Sequence, residues 1–135
     1  MGNTGFSTGP HLHFGVYNLS ESNADSFNYF NNTVAPFDFL SSRGVSFQAQ
    51  SCDDVSSNIN KTVGSGGVAW PMNGDIIITQ CYGHTPWSWM YGAINFHQGV
   101  DMYATGDISV HAVDEGEAYF YRGSSSFGNN VRIFS

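Results

Sequence analysis

Two short histidine motifs hold the residues of this chain that are best suited to chemistry. His11 and His13 flank Leu12 near the start, and His97 lies four residues before Asp101 near the finish. The motifs together supply imidazoles and a carboxylate, with one histidine to spare, and an open zinc site for hydrolysis uses this set of groups. The two motifs therefore predict a metal-dependent hydrolytic centre.

Strand geometry determines how the first motif can act. On a β-strand, residues i and i+2 share a face and lie about 6.6 Å apart, so His11 and His13 are expected to point the same way. Leu12 and Phe14 then face the opposite side. One histidine of the motif can bind a metal while the other reaches the water or the substrate.

The second motif needs a turn. His97 and Asp101 would lie roughly 13 Å apart on a straight strand, too far for one ion whose ligand bonds are near 2 Å. A helix would also bring positions i and i+4 together, but Gly99 and Val100 make a helix unfavourable here. Gly99 is the residue that permits a turn.

The surroundings of both motifs resemble lysostaphin-type, LytM-like zinc metallopeptidases, a family of peptidoglycan endopeptidases. The similarity lies in GNTGFSTGPHLHF at residues 2–14 and in FHQGVD at residues 96–101. In that family the His-x-x-x-Asp motif comes first and His-x-His last, whereas this chain has the reverse order. The resemblance also lacks one element, because no residue here matches the histidine of the family's Tyr-x-His-Leu hairpin. His84 and His111 are not expected to fill that role.

The reversed order implies a single, circularly permuted domain over residues 1–135. Residues 2–40 resemble the last part of the family domain, and residues 70–135, which open with Trp70-Pro71, resemble its first part. The Ser-, Asn- and Gly-rich stretch 41–69 is interpreted as a linker between them. The alternative is a piece of a tandem array that holds the end of one domain and the start of the next.

The resemblance implies roles for particular residues. His97, Asp101 and His13 would be the Zn²⁺ ligands, and His11 would be the catalytic partner that orients water or stabilises the oxyanion. The family's substrates are peptidoglycan cross-bridges and stem peptides, which implies an extracellular, cell-wall or periplasmic location. We expect no signal peptide within this chain, because its start has neither a basic segment nor an apolar run.

The loop before His97 is aromatic. Trp87, Trp89 and Tyr91 are candidates to wall a peptide-binding groove, although aromatic residues in such a loop more often pack beneath it. The cysteines Cys52 and Cys81 lack metal-binding spacing, so they either form one disulfide or remain two buried thiols.

Composition restricts the fold class and the partners. Charged residues make up only 11% of the 135-residue chain, which has 16 glycines, and this favours short strands and turns over long helices. The formal net charge of -7 makes nucleic acid an improbable partner. No stretch approaches the roughly 18 apolar residues of a membrane helix. The expected fold is mainly β, an antiparallel sheet domain of the LytM-like duplicated type.

Alternating and β-branched segments predict the strands. We expect residues 2–17 and 70–134 to form one sheet system and 41–69 to lie outside it. The only helix candidate is 21–30, and it is weak. The predicted strands are 12–17, 75–80 and 129–134. Two more strands, 109–113 and 118–122, are expected to form a hairpin through the turn 114–117.

Three functions are compatible with these features. The first is an active zinc endopeptidase, favoured by the complete ligand set. The second is a zinc- and peptidoglycan-binding pseudoenzyme, favoured by the missing hairpin. The third is an assembly subunit in which the strand near Val131–Phe134 pairs with a second chain.

Overall fold

The computed structural model describes residues 10–18, 32–45, 47–49, 57–61, 68–124 and 128–135. A short α-helix, α1 (Pro36–Ser42), and a kinked 3₁₀ helix at Ser88–Ile94 accompany nine strands in these ranges. None of the helices described is long and apolar enough to cross a membrane. The strands are β1 (Leu12–Phe14), β2 (Val16–Tyr17), β3 (Thr33–Val34), β4 (Phe47–Ala49), β5 (Ser57–Lys61), β6 (Asp75–Gln80), β7 (Val100–Thr105), β8 (Glu117–Ser124) and β9 (Gly128–Phe134).

The main sheet has five strands in the order β1-β7-β6-β5-β4, and every neighbouring pair is antiparallel. Two further antiparallel pairs, β2–β3 and β8–β9, form separate two-stranded sheets. The prediction of a mainly antiparallel β protein is confirmed. The prediction of one sheet system is wrong, because β8 and β9 pair only with each other among the described strands.

The core lies against one face of β6 and β7. Ile76 and Ile78 alternate with less buried residues along β6, and Met102 of β7 is fully buried between them and β1. Burying a side chain of this size contributes roughly 1.5–3 kcal/mol. Leu12 and Phe14 of β1 also pack against this core, which leaves the alternate face of β1 to the two histidines.

Helix α1 closes part of the core with Leu40, which is fully buried. Pro36 occupies its first turn, where a missing N–H costs nothing, and Ala35 before it makes no side-chain cap. The helix ends at Ser42, with Arg43 as its C-cap, and the next residue, Gly44, has a φ of 83°. The sequence predicted no helix at this place, and the weak candidate at 21–30 lies outside the described residues.

The interpretation of 41–69 as a linker outside the sheet is wrong for its described part. β4 and β5 both lie within this stretch, and β5 pairs with β6 through Ser57↔Ile78, Asn58↔Ile77 and Ile59↔Ile76. The physical reason is that β6 needs a second neighbour to satisfy its backbone N–H and C=O groups. A polar strand can provide those backbone groups as well as an apolar one, so composition concealed it.

The predicted hairpin of 109–113 with 118–122 does not form. Within 109–113 the backbone contacts the segment before β6 instead, through an isolated bridge between Val110 and Met72 and a hydrogen bond from the Ala69 N–H to the Val113 carbonyl. The strand at 118–122 exists within β8, but its partner is β9. The turn residues 114–117 therefore lead into a different hairpin, one that extends to the end of the chain.

Candidate metal centre

The centre begins where β1 and β7 pair. His13 lies directly opposite Asp101 in the antiparallel register, so the two side chains share one face of the sheet. The His13 Nδ1–H donates to Asp101 Oδ1 over 2.9 Å. On the opposite face Leu12 and Phe14 pack on the core, which fixes the direction of the His13 side chain.

His97 approaches the same carboxylate from the segment before β7. Its backbone makes a two-way bridge with Gly83, with both N–H···O distances at 2.8 Å. Its Nδ1–H donates to the carbonyl of Cys81 over 2.8 Å, which leaves Nε2 as the nitrogen with a lone pair. This Nε2 is buried 3.2 Å from Asp101 Oδ1 but makes no hydrogen bond with the described residues.

The three side chains converge closely enough to hold one ion. His13, His97 and Asp101 each offer one donor atom, and these atoms all lie within 4.8 Å of one another. Two ligands of a tetrahedral ion with bonds of about 2.0–2.1 Å are separated by about 3.3 Å, so the observed arrangement needs only small side-chain movements. The predicted ligands therefore meet, although 84 residues separate the two histidines.

Asp101 is held in its ionised form. Burial by itself raises the pKa of this carboxyl, but the hydrogen bond from His13 is the largest of the effects that outweigh it, so the pKa lies well below its usual range. The residue is only 9% exposed, and a buried carboxylate beside two imidazoles favours a cation at this point.

Gly99 lies where β7 passes close to β1, a feature that the sequence did not predict. A Cβ at this position would lie 2.5 Å from the carbonyl oxygen of Phe14 and 2.8 Å from the His13 ring. The glycine therefore allows the backbone before β7 to pass close to β1, and no positive φ is involved. The chain bends at Gly99, as expected, without a positive φ, and the close approach that the glycine permits brings His97 and Asp101 together with His13.

Tyr91 flanks the centre. Its ring stacks on that of His97, with centroids 5.5 Å apart and an interplanar angle of 16°. Burial and the charge of Asp101 raise the pKa of Tyr91 to about 12, so its hydroxyl keeps its proton at neutral pH. The side chain of Gln80 lies 3.3 Å from that hydroxyl. Trp87 and Trp89, the other two groove candidates, are 43% and 65% exposed at the surface.

His11 stands beside the ligand set and not within it. Its Nε2 lies 3.7 Å from Asp101 Oδ2, too far for a hydrogen bond, and its side chain is 21% exposed. The two histidines of the first motif thus share a face, as strand geometry predicted, and both approach Asp101.

The other two histidines lie elsewhere. His84 hydrogen-bonds through Nδ1 to the carbonyl of Asn95 and packs edge-on against Phe96. His111 pairs with the amide of Asn73 over 2.9 Å. Within the described residues, neither belongs to a group that could hold a metal.

Cys81 takes part in a disulfide, and its carbonyl supports His97. Cys52, its expected partner, lies outside the described residues. Sequence reasoning did not identify the supporting role of Cys81 or Gln80, because carbonyl and amide contacts made through a loop leave no spacing pattern. The one usable signal was the aromatic segment that ends shortly before His97, where Tyr91 proves to be the residue in contact.

Comparisons with protein-family models, with curated proteins and with solved structures found no match to this chain.

Proposed function

We propose that this chain is a zinc-dependent hydrolase of peptide bonds that acts on peptidoglycan cross-bridges or stem peptides. The observation that carries the proposal is the convergence of His13, His97 and Asp101, two imidazoles and one carboxylate. Three protein ligands of this kind leave a fourth position for water or substrate, as catalytic zinc sites do. When bound, the ion would act as a Lewis acid and lower the pKa of water towards 7.

The chain's own residues supply the remaining functions. Asp101 would contribute the negative charge, and the hydrogen bond from His97 Nδ1–H to the Cys81 carbonyl would keep the lone pair of Nε2 for the ion. His11 is the catalytic partner in this proposal, because it is partly exposed beside the ligands and can exchange a proton with substrate. Tyr91 holds the His97 ring by stacking and thereby positions a ligand.

The substrate class rests on the resemblance of residues 2–14 and 96–101 to LytM-like peptidases, as does an extracellular or periplasmic site of action. The permuted, LytM-like arrangement of the domain belongs to the same proposal. Glycine-rich or D-amino-acid peptides are extended and small, and the segment with exposed Trp87 and Trp89 would form one wall of their groove.

A second candidate function is zinc-dependent binding of peptidoglycan peptides without turnover. It is favoured by one specific observation, that His11 is the only described histidine near the ligand set that is not itself a ligand. Because general acid–base help is worth typically 10²–10⁴-fold, a centre with one such group in place of two should turn over slowly. We therefore expect weak hydrolysis from this chain by itself.

The test measures zinc content and peptide cleavage on the same preparations. Zinc-loaded protein is given pentaglycine or a cross-linked stem peptide, and Asp101→Ala and His11→Ala are compared with it. We expect Asp101→Ala to lose both zinc and cleavage, and His11→Ala to keep zinc while cleavage falls by about 10²-fold or more. His111→Ala is the matched control and should change neither.

Each outcome separates the candidates. Unchanged zinc content in Asp101→Ala would refute the ligand set. Zinc binding without cleavage in the unaltered protein would favour the binding function, and cleavage that persists in His11→Ala would remove that histidine from the mechanism.

A further inference from the structure

The hairpin of β8 and β9 has two different faces. Its register places Ala118 opposite Ile133 and Phe120 opposite Val131, whereas Tyr119 lies opposite Arg132. Because side chains alternate along a strand, the first two pairs share one face and the third pair lies on the other. The two faces can therefore be compared residue by residue.

The face that contains Tyr119 makes contacts within itself. The Tyr119 hydroxyl donates to Glu117 over 2.7 Å, and its ring meets Phe134 edge-on at 5.5 Å. The Arg132 guanidinium lies over the ring of Tyr121, 4.2 Å from its centroid. The ring contact of Tyr119 with Phe134 and the cation–π contact of Arg132 with Tyr121 cross between the strands and stabilise the two-stranded sheet directly.

The opposite face is apolar and exposed. Phe120 is 60% exposed, Val131 57% and Ile133 37%, and Ala118 completes the face. Arg122 extends over the Phe120 ring, 5.4 Å from its centroid. A contiguous exposed apolar group of this kind indicates an interaction surface, whereas single exposed apolar residues do not.

The charge of the hairpin differs from that of the remainder of the chain. Residues 117–134 contain one acid and two arginines, a net charge of +1 in a chain of -7, so the remainder carries -8. On the β8 side the charges are separated along the chain, with Asp114, Glu115 and Glu117 at the base of the hairpin and Arg122 towards its other end. Arg132 also lies near the base, but on the face of Tyr119, and Asp114 pairs with Arg43 over 3.9 Å.

We propose that the apolar face of the hairpin is an interface between two copies of this chain, packed face to face about a two-fold axis. With the axis at the level of the Tyr119–Arg132 pair, Phe120 lies over the partner's Ala118, a large side chain over a small one. Val131 then lies over the partner's Ile133. A two-fold contact requires such self-complementarity, because the same surface serves both partners.

The charges agree with this arrangement. A two-fold axis across the strands places the tip of one hairpin over the base of the other, so Arg122 approaches the partner's Glu115. Opposite charges then meet twice, once at each end of the interface. A parallel packing would instead bring the arginines together and the acids together.

The interface is small, and the association is accordingly weak. Stable complexes bury roughly 800 Å² per partner, more than four side chains and their neighbours provide. We expect a reversible dimer with a dissociation constant on the order of 100 μM. Association should be the same with and without zinc, because none of the three metal-binding residues lies in the hairpin.

The experiment is sedimentation velocity on the whole chain over about 10 μM to about 1 mM. The unaltered protein should shift from monomer to dimer, and Phe120→Ser should weaken association at least tenfold. Ile108→Ser is the matched control, an exposed aliphatic residue outside the hairpin (51% exposed), and should leave association unchanged. Circular dichroism verifies that each variant keeps its β structure.

A charge exchange tests the orientation of the two copies. Arg122→Glu alone should weaken the dimer, and adding Glu115→Arg should restore it, because the exchanged pair meets again across the interface. A monomer at every concentration would overturn the proposal, as would unchanged association in Phe120→Ser. Failure of the double variant to recover association would overturn the antiparallel packing.

Discussion

The candidate metal centre and the β8–β9 hairpin both depend on antiparallel cross-strand pairs, but the side chains of the pairs have different surroundings in the two regions. At the centre, His13 faces Asp101 while Leu12 and Phe14 on the other face pack against the core. In the hairpin, Phe120 faces Val131 and both side chains are more than half exposed. At the candidate centre one face of the sheet is buried, and this holds the polar side chains of the other face rigidly. In the hairpin neither face is buried, so its apolar pairs remain available to a partner.

The two regions should differ most in how a mutation there changes the stabilisation of the protein by zinc. At free zinc about 1,000-fold above its dissociation constant, binding to the native centre should raise the free energy of unfolding by about 4 kcal/mol. Urea unfolding with zinc and with a chelator measures this. Asp101→Ala should lose the stabilisation, and Val131→Ala in the hairpin should keep all of it. Equal stabilisation of Asp101→Ala would place the ion elsewhere.

Core packing provides the next contrast. Met102 is fully buried between Leu12 and Ile78, so Met102→Ala should lower the free energy of unfolding by about 3 kcal/mol, a typical cost of a buried cavity. Val131→Ala, at an exposed strand position, should cost less than about 1 kcal/mol. Urea midpoints of the metal-free proteins give both values. A similar cost for the two changes would mean that the hairpin is packed in solution.

Glycine substitution makes the smallest and sharpest comparison. Gly99→Ala places a Cβ against the Phe14 carbonyl and the His13 ring, and we expect a loss of about 2 kcal/mol from overpacking, together with weaker zinc binding. Gly123→Ala has open space around it but a φ of 69°, so only the left-handed conformation costs energy, about 1 kcal/mol. Zinc affinity should be unchanged in Gly123→Ala. If Gly99→Ala binds zinc normally, the approach of β7 to β1 is not what forms the centre.

The sequence allowed much of the centre to be predicted. Strand alternation placed His11 and His13 on one face, and the β-branched run of 75–80 predicted β6 with its observed bounds. These inferences succeeded because they depend on local periodicity, which the backbone imposes on each segment. The reason for Gly99 was not predictable in the same way, because close approach depends on a strand far away in the sequence.

The errors share a physical cause. β5 carries Asn58 and Lys61, a composition typical of a turn, and it became a strand because β6 required a partner. Helix α1 begins without a capping side chain and is held by Leu40 in the core. In both cases tertiary contacts outweighed the local preference of the segment. A single sequence does not reveal which distant residues are in contact.

The distance along the chain between His13 and Asp101 has a consequence for biosynthesis. The two residues are 88 positions apart. At a synthesis rate of roughly 5–20 residues per second, Asp101 is therefore added to the nascent chain about 4–18 s after His13. No ion can be held by this pair in a nascent chain that ends before Asp101. If the proposed ion binds here, its loading would follow the pairing of β1 with β7, which places His13 opposite Asp101.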